Sequence, residues 1–229
     1  PNALGAASRV EALLAAAEDY DFVDCDLRFA AVVAELDPLV LVRDVVSPAL
    51  REAGNRWHRG DWTVVQERML SGVVRRRLST ALDQHLNQAD GPTVLFTTLS
   101  GERHELGGLM GAVLAASRGF RSIYLGPDLP AAEIGLFCTR RPVGALALSL
   151  VTQPDVNDAH GQLLDLRRAV PAGIEIWVAG QASTRRRRRA AKSSAANAVV
   201  KGRPACAWPA QSKPSPTPTR QAATAATVR

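Results

Sequence analysis

Apolar residues recur every three to four positions between Ala6 and Gln88. Val10, Leu13, Leu14 and Ala17 make one such stripe, and Leu39, Val42, Val45, Val46 and Leu50 make another. Side chains at that spacing share one face of a helix, so each stripe must be buried against a neighbour. The pattern predicts a bundle of four helices over 6–18, 22–35, 38–57 and 62–87, with Asp37-Pro38 and Gly60-Asp61 punctuating two of the boundaries.

After Asp90-Gly91-Pro92 the period changes. Short β-rich runs at Thr93–Thr98, Ser122–Leu125, Ala145–Leu150 and Glu175–Ala179 alternate with helical runs at Leu106–Arg118, Ala131–Thr139 and Asn157–Val170. Strands separated by helices of this length imply right-handed crossovers and a parallel sheet, an α/β Rossmann-like (flavodoxin-like) arrangement. Ligands of such sheets sit beyond the carboxyl ends of the strands. The candidate site is therefore the loop set 99–107, 126–130, 149–155 and 180–184. A fifth strand and a last helix are the expected continuation, but the pattern stops.

Composition refines this two-module picture. With 229 residues, 46% of them apolar, the chain has material for a sizeable core. No run of 18 apolar residues occurs and the first residues lack the order of a signal peptide, so a cytoplasmic location with no membrane span is expected. Cys25, Cys138 and Cys206 show no CxxC spacing and read as small hydrophobes rather than a disulfide framework or thiolate metal site. The net charge of +6 belongs to the end of the chain: residues 177–229 hold eleven Lys and Arg and no Asp or Glu, leaving 17 basic against 22 acidic residues in 1–176. Three regions follow: a helical bundle over 1–90, an α/β domain over 91–184, and a basic tail over 185–229 that opens on Arg185–Arg189 and reads as disordered. Such a tail is usually solvated, with phosphate contact as the alternative. Arg75-Arg76-Arg77 reads as the solvated face of a helix.

The stretch with the most chemistry is Leu99-Ser100-Gly101-Glu102-Arg103-His104-Glu105-Leu106-Gly107-Gly108, between the first strand and the next helix. A lone histidine is more often structural than a ligand. Here strand, loop, acid, histidine and glycine come in an order that projects His104 into the crevice. Glu102, two residues earlier, can hold the ring nitrogen not used for a metal, which fixes the tautomer and raises ligand basicity. Gly107 and Gly108 allow a bulky ligand close to the backbone.

Glu102-x-His104-x-x-Gly107 resembles the D-x-H-x-x-G signature of cobalamin-binding domains, with Glu in place of Asp. The continuation Gly119-Phe120 through Tyr124-Leu125-Gly126-Pro127-Asp128-Leu129-Pro130 is similar to the CarH/LitR group of cobalamin-dependent photoreceptor regulators, and the resemblance covers roughly residues 5–184. It implies that His104 is the lower axial cobalt ligand, replacing the cofactor's own base. Ser100 lies in the same loop, Ser149 and Val151 match the loop that lines the nucleotide tail, and Gly180 matches the first glycine of a pair whose second is here Gln181. Trp57-His58 followed by Glu67 resembles the W-x9-E-H lid motif, with Arg68 where that group has histidine. The resemblance implies that Trp57 covers the upper ligand, that Glu67 contacts it, and that His58 can coordinate cobalt from above after light breaks the cobalt–carbon bond.

The leading functional expectation is a non-enzymatic module that binds adenosylcobalamin and senses light, acting through rearrangement of the lid or of a homo-oligomer, or through a regulatory protein partner. No helix-turn-helix segment precedes residue 6, so direct DNA binding is not expected without another domain. The alternatives are a corrinoid methyl carrier using methylcobalamin in a methyltransferase system, and a structural module without cofactor.

Overall fold

The computed structural model describes residues 3–86, 89–151 and 156–180; the basic tail, Gln181 and the expected fifth strand lie outside them. Four helical stretches come first. Helix α1 spans Ala3–Glu18 and α2 spans Phe22–Glu35, started by the Asp21 carboxylate, which accepts the Asp24 N–H at 2.9 Å. The third stretch is the single helix predicted over 38–57, but its register changes along the way: α3 (Pro38–Val40) passes through a π-helical turn at Leu41–Val46 into α4 (Ser47–Arg59). Pro48 supplies the reason. It has no N–H for the carbonyl four residues back and its ring crowds that carbonyl, so the preceding turn widens and Ser47 N–H reaches Val42 instead. Gly60, with φ +81°, ends α4 in the left-handed conformation and turns the chain into α5 (Val64–Leu86).

The second half alternates β1 (Thr93–Thr97), α6 (Leu106–Ala116), β2 (Arg121–Tyr124), α7 (Ala131–Arg140), β3 (Ala145–Ser149), α8 (Val156–Ala169) and β4 (Glu175–Ala179). The strands are all parallel in the order β2-β1-β3-β4. The chain winds one way from β1 to β2 and the other way from β3 to β4. The crevice of this sheet therefore opens at the carboxyl ends of β1 and β3.

Period two in the strands sorts the side chains between two cores. Val94, Phe96 and Ala145 face α6 and join a core that continues through Leu109 and Val113 into Leu70, Val74, Phe29 and Leu13 of the helical half. Leu95, Leu146, Leu148, Ile176 and Val178 face the other way, against Ile134 of α7 and Leu163 and Leu166 of α8. The helical half and one face of the sheet thus share one apolar interior, with α5 lying against α6. Phe29 and Leu70 are fully buried, and each such side chain contributes about 1.5–3 kcal/mol of transfer free energy. Among the described residues no helix is long and apolar enough to cross a membrane.

Arg75 and Arg76 of α5 are exposed, as the sequence reading has them, but all three consecutive arginines have acidic partners. Arg77 grips Asp26 through two nitrogens, Arg76 reaches the same carboxylate at 2.5 Å while stacking 4.8 Å over the Phe22 ring, and Arg75 turns to Glu105. They fasten α5 to α2 and to the α/β half rather than facing water alone. Hydrogen bonds from Arg77 and then Arg76 hold the Asp26 carboxyl below the usual aspartate range. A depressed carboxyl stabilises the fold above its unfolded pKa of about 3.9 and loses that contribution as pH falls through the lower, folded value. Asp26→Asn should therefore cost up to about 1 kcal/mol at pH 7, an exposed-pair magnitude. The gap from wild type in urea unfolding should close as the pH is taken below about 4; a gap that stays constant with pH would refute this account of the pair.

Candidate functional site

Two of the loops that crown the sheet are zipped together at their bases. Thr98, directly after β1, donates its hydroxyl to the Glu102 carbonyl and accepts the Asp128 N–H at 2.8 Å. Asp128 in turn accepts the Gly101 N–H at 2.8 Å on Oδ1. Gly101 at φ +83° and Asp128 at φ +67° occupy left-handed positions, where glycine and, among other residues, aspartate are tolerated best. The loop that carries His104 is therefore pinned to the loop after β2.

Glu102 does the rest of the pinning. Its side chain is fully buried, yet each oxygen has work. Oε1 accepts the His104 backbone N–H at 2.9 Å and faces His104 Nδ1 at 2.7 Å, while Oε2 accepts the Val151 N–H at 2.8 Å. A carboxylate is costly to bury alone, and these N–H donors offset that cost. The bond to Val151 crosses the crevice between β1 and β3. It places the expected nucleotide-tail loop against the expected ligand loop. Because Oε1 is an acceptor, the imidazole proton belongs on Nδ1 and the lone pair on Nε2. The ring itself is 57% exposed, so Glu102 fixes one edge of an imidazole whose body stands in the crevice.

The small residues of the crevice pack closely against its loops. A Cβ on Gly107 would lie 2.7 Å from Ser149 Oγ, and that hydroxyl donates to the His104 carbonyl at 3.5 Å. Gly180, at φ +120°, leaves no room for a side chain: a Cβ there would meet the Leu150 carbonyl oxygen at 2.2 Å. Ser100 stands part-buried in the turn that begins the ligand loop. The structure thus brings Glu102, His104, Gly107, Ser149, Val151 and Gly180 together at one place.

Trp57, His58, Glu67 and Arg68 stand elsewhere, at the turn joining α4 to α5. Trp57 is 49% exposed, with His58 edge-on at 6.4 Å between ring centroids. Val64 and Val65, across the turn, are also about half exposed. Glu67 is part-buried and pairs with the exposed Arg68 at 3.6 Å. The end of α5 leads to the start of β1, whereas Arg75 in its middle meets Glu105 at the N-terminus of α6, level with the carboxyl edge of the sheet. The first turns of α5 therefore project past that edge, with Glu67 about 12 Å farther along the axis than Arg75.

Sequence reasoning missed Arg75, Glu105 and Tyr124. Glu105 accepts the Tyr124 hydroxyl at 2.5 Å on one oxygen and pairs with Arg75 at 3.4 Å on the other. Burial, followed by the bond to Glu105, pushes the Tyr124 phenol up, so it stays an O–H donor. Its place at the end of a strand was legible; its partner on another element was not.

Residues 9–81, most of the helical half, match the family model described as the B12 binding domain, so the chain carries a cobalamin-binding domain. The chain is 33% identical over 178 residues to the HTH-type transcriptional repressor CarH of Myxococcus xanthus, covering 76% of this chain and 58% of that protein. It is 32% identical over 122 residues to the repressor CarA of the same organism, covering 53% and 41%. Its B12-binding region is of the CarH type. The chain spans about half the length of these curated relatives. The fold is shared with a solved monomethylamine corrinoid protein from Methanosarcina barkeri, at TM-score 0.59 and 13% identity over 73% of this chain and 82% of that one.

Proposed function

We propose that this protein holds adenosylcobalamin with the cofactor's own base displaced, and that it is a light-sensing regulatory module rather than an enzyme. The observation that carries the reading is the buried Glu102, which orients His104 and ties it across the crevice to Val151. With Nδ1 held, Nε2 would be the nitrogen that ligates cobalt. Gly107, Ser149, Val151 and Gly180, with Ser100 beside them, would line the place for the displaced base and its tail, and the two glycines let Ser149 and the Leu150 carbonyl approach the backbone closely there. When bound, the cofactor supplies a cobalt–carbon bond that visible light can break. The protein's share is to cover and to read out. Trp57 offers a half-exposed indole as a plate that excludes water from the upper face, Glu67 and Arg68 offer polar contacts beside it, and His58 is the second candidate cobalt ligand. The readout passes to a second copy of the chain or to a regulatory partner; nucleic-acid contact would come from a further domain.

One observation favours a second reading. Trp57 stands half exposed, and a methyl carrier needs an upper face open to its partner enzymes. The spectrum of the purified chain, mixed with adenosylcobalamin, desalted in the dark and then illuminated with green light, separates these readings. Retention with a light-driven change in the cobalt bands is expected, and the stable photoproduct should be lost in His58→Ala. Preferential retention of methylcobalamin would favour the carrier, and retention of neither would leave a structural module.

A further inference from the structure

We propose that Glu105 is a coupling carboxylate, clamping the His104 loop to α5 so that occupancy of the cofactor site and the position of the helical layer bias one another. The inference rests on the cobalamin-binding reading and concerns how that site reports to the helices.

His104 is bracketed by two acids with different attachments. Glu102 holds its ring and its N–H from within the α/β half. Glu105, the very next residue, is held by Tyr124 at the end of β2 and reaches out to Arg75 of the helical half. Any shift of the His104 backbone must move Glu105, because the two share a peptide bond.

The two bonds of Glu105 are unequal, and that inequality makes a latch. The contact with Tyr124 is short, part-buried and made by a neutral hydroxyl to a carboxylate, a strong arrangement. The contact with Arg75 is longer, and the Arg75 side chain is 61% exposed, so water and salt weaken it. Displacing α5 therefore breaks the Arg75 contact first and leaves Glu105 with Tyr124. Arg75 also lies on the helix that carries Glu67 and Arg68 about two turns nearer the candidate upper face. A ligand held between His104 and those residues draws the same two bodies together that the Arg75–Glu105 contact joins. Linkage makes the effect reciprocal: if cofactor favours the closed contact, the contact favours cofactor.

The test is hydrogen–deuterium exchange on the full chain, with and without hydroxocobalamin in the dark. In wild type, the ligand should slow exchange both in 99–107 and in the first half of α5. In Arg75→Met the loop should keep its protection, whereas the ligand-dependent protection of α5 should fall about threefold, the size expected of one exposed ion pair; Arg75→Lys should restore most of it. Unchanged α5 protection in Arg75→Met overturns the proposal. A second arm needs no ligand: Arg75→Met should speed exchange in the middle of α5, and in a Glu105→Gln background it should speed it no further. Multiplying effects would mean that the two side chains act separately and would also overturn it. Should wild type retain no hydroxocobalamin, the cobalamin reading fails and the coupling with it, while the ligand-free arm still decides whether the mechanical link exists.

Discussion

Replacing Glu102 with glutamine is expected to destabilise the fold by about 1–3 kcal/mol and to weaken cobalamin retention roughly 10- to 100-fold. The side chain keeps its shape, so the effect isolates hydrogen-bond polarity. Both carboxylate oxygens accept from N–H groups, on His104 at one side and on Val151 at the other. An amide has one oxygen, so one side must face an NH2 group. If the NH2 faces Val151, the crevice loops lose their tie and a buried N–H is left without an acceptor. If it faces His104, the ring must take the opposite tautomer, which moves the lone pair from Nε2 to Nδ1. Urea unfolding of the cofactor-free protein measures the first cost and the cobalt spectrum after desalting measures the second. Wild-type stability and retention in Glu102→Gln would mean that this carboxylate neither organises the loops nor sets the ligand.

His104→Ala should separate binding from folding. The imidazole is more than half exposed, so its loss removes little packing, but it takes one donor from the buried Glu102 carboxylate, and stability should fall by about 1 kcal/mol. Cofactor retention should fall by on the order of 100-fold or more, since removing a metal ligand costs no less than removing its outer partner. The residual bound cobalamin should show the spectrum of the form without a histidine ligand. An unchanged spectrum and affinity would exclude His104 as the lower ligand, whatever else the loop does. The contrast with Glu102→Gln is diagnostic: that variant also loosens the tie to Val151, whereas His104→Ala leaves the tie intact and falls mainly on retention.

Much of this site could be read along the chain because its parts are close in sequence. Glu102 and His104 are two residues apart, so the acid's reach to the ring follows from the length of a glutamate side chain, and Gly107 lies in the same loop. The change of period after Asp90-Gly91-Pro92 likewise announced the passage from helices to a parallel sheet, because burial of a helix stripe and of a strand face impose different spacings. The π-helical turn at Leu41–Val46 escaped, since hydrophobic periodicity is almost the same in a slightly widened helix; Pro48 was its only sign. The role of Arg75-Arg76-Arg77 escaped for another reason. Charge runs are judged solvated by default, and nothing local to α5 reveals that Asp26 and Glu105 come to meet them.

By itself the sequence determined which elements form, which faces of them are buried, and the residue pair that makes a histidine a candidate metal ligand. Each depends on neighbours within a few positions, where covalent geometry fixes the relation. Only the tertiary structure decided that Glu102 is buried and bonded to Val151, 49 residues away, that Gly180 is forced by the Leu150 carbonyl, and that Arg75, Glu105 and Tyr124 meet from three elements. Those contacts depend on strand order and on how α5 lies against α6, and a hydrogen bond made across such distances leaves no period in the chain. The polar atoms still had to find partners once buried, and the fold chose which.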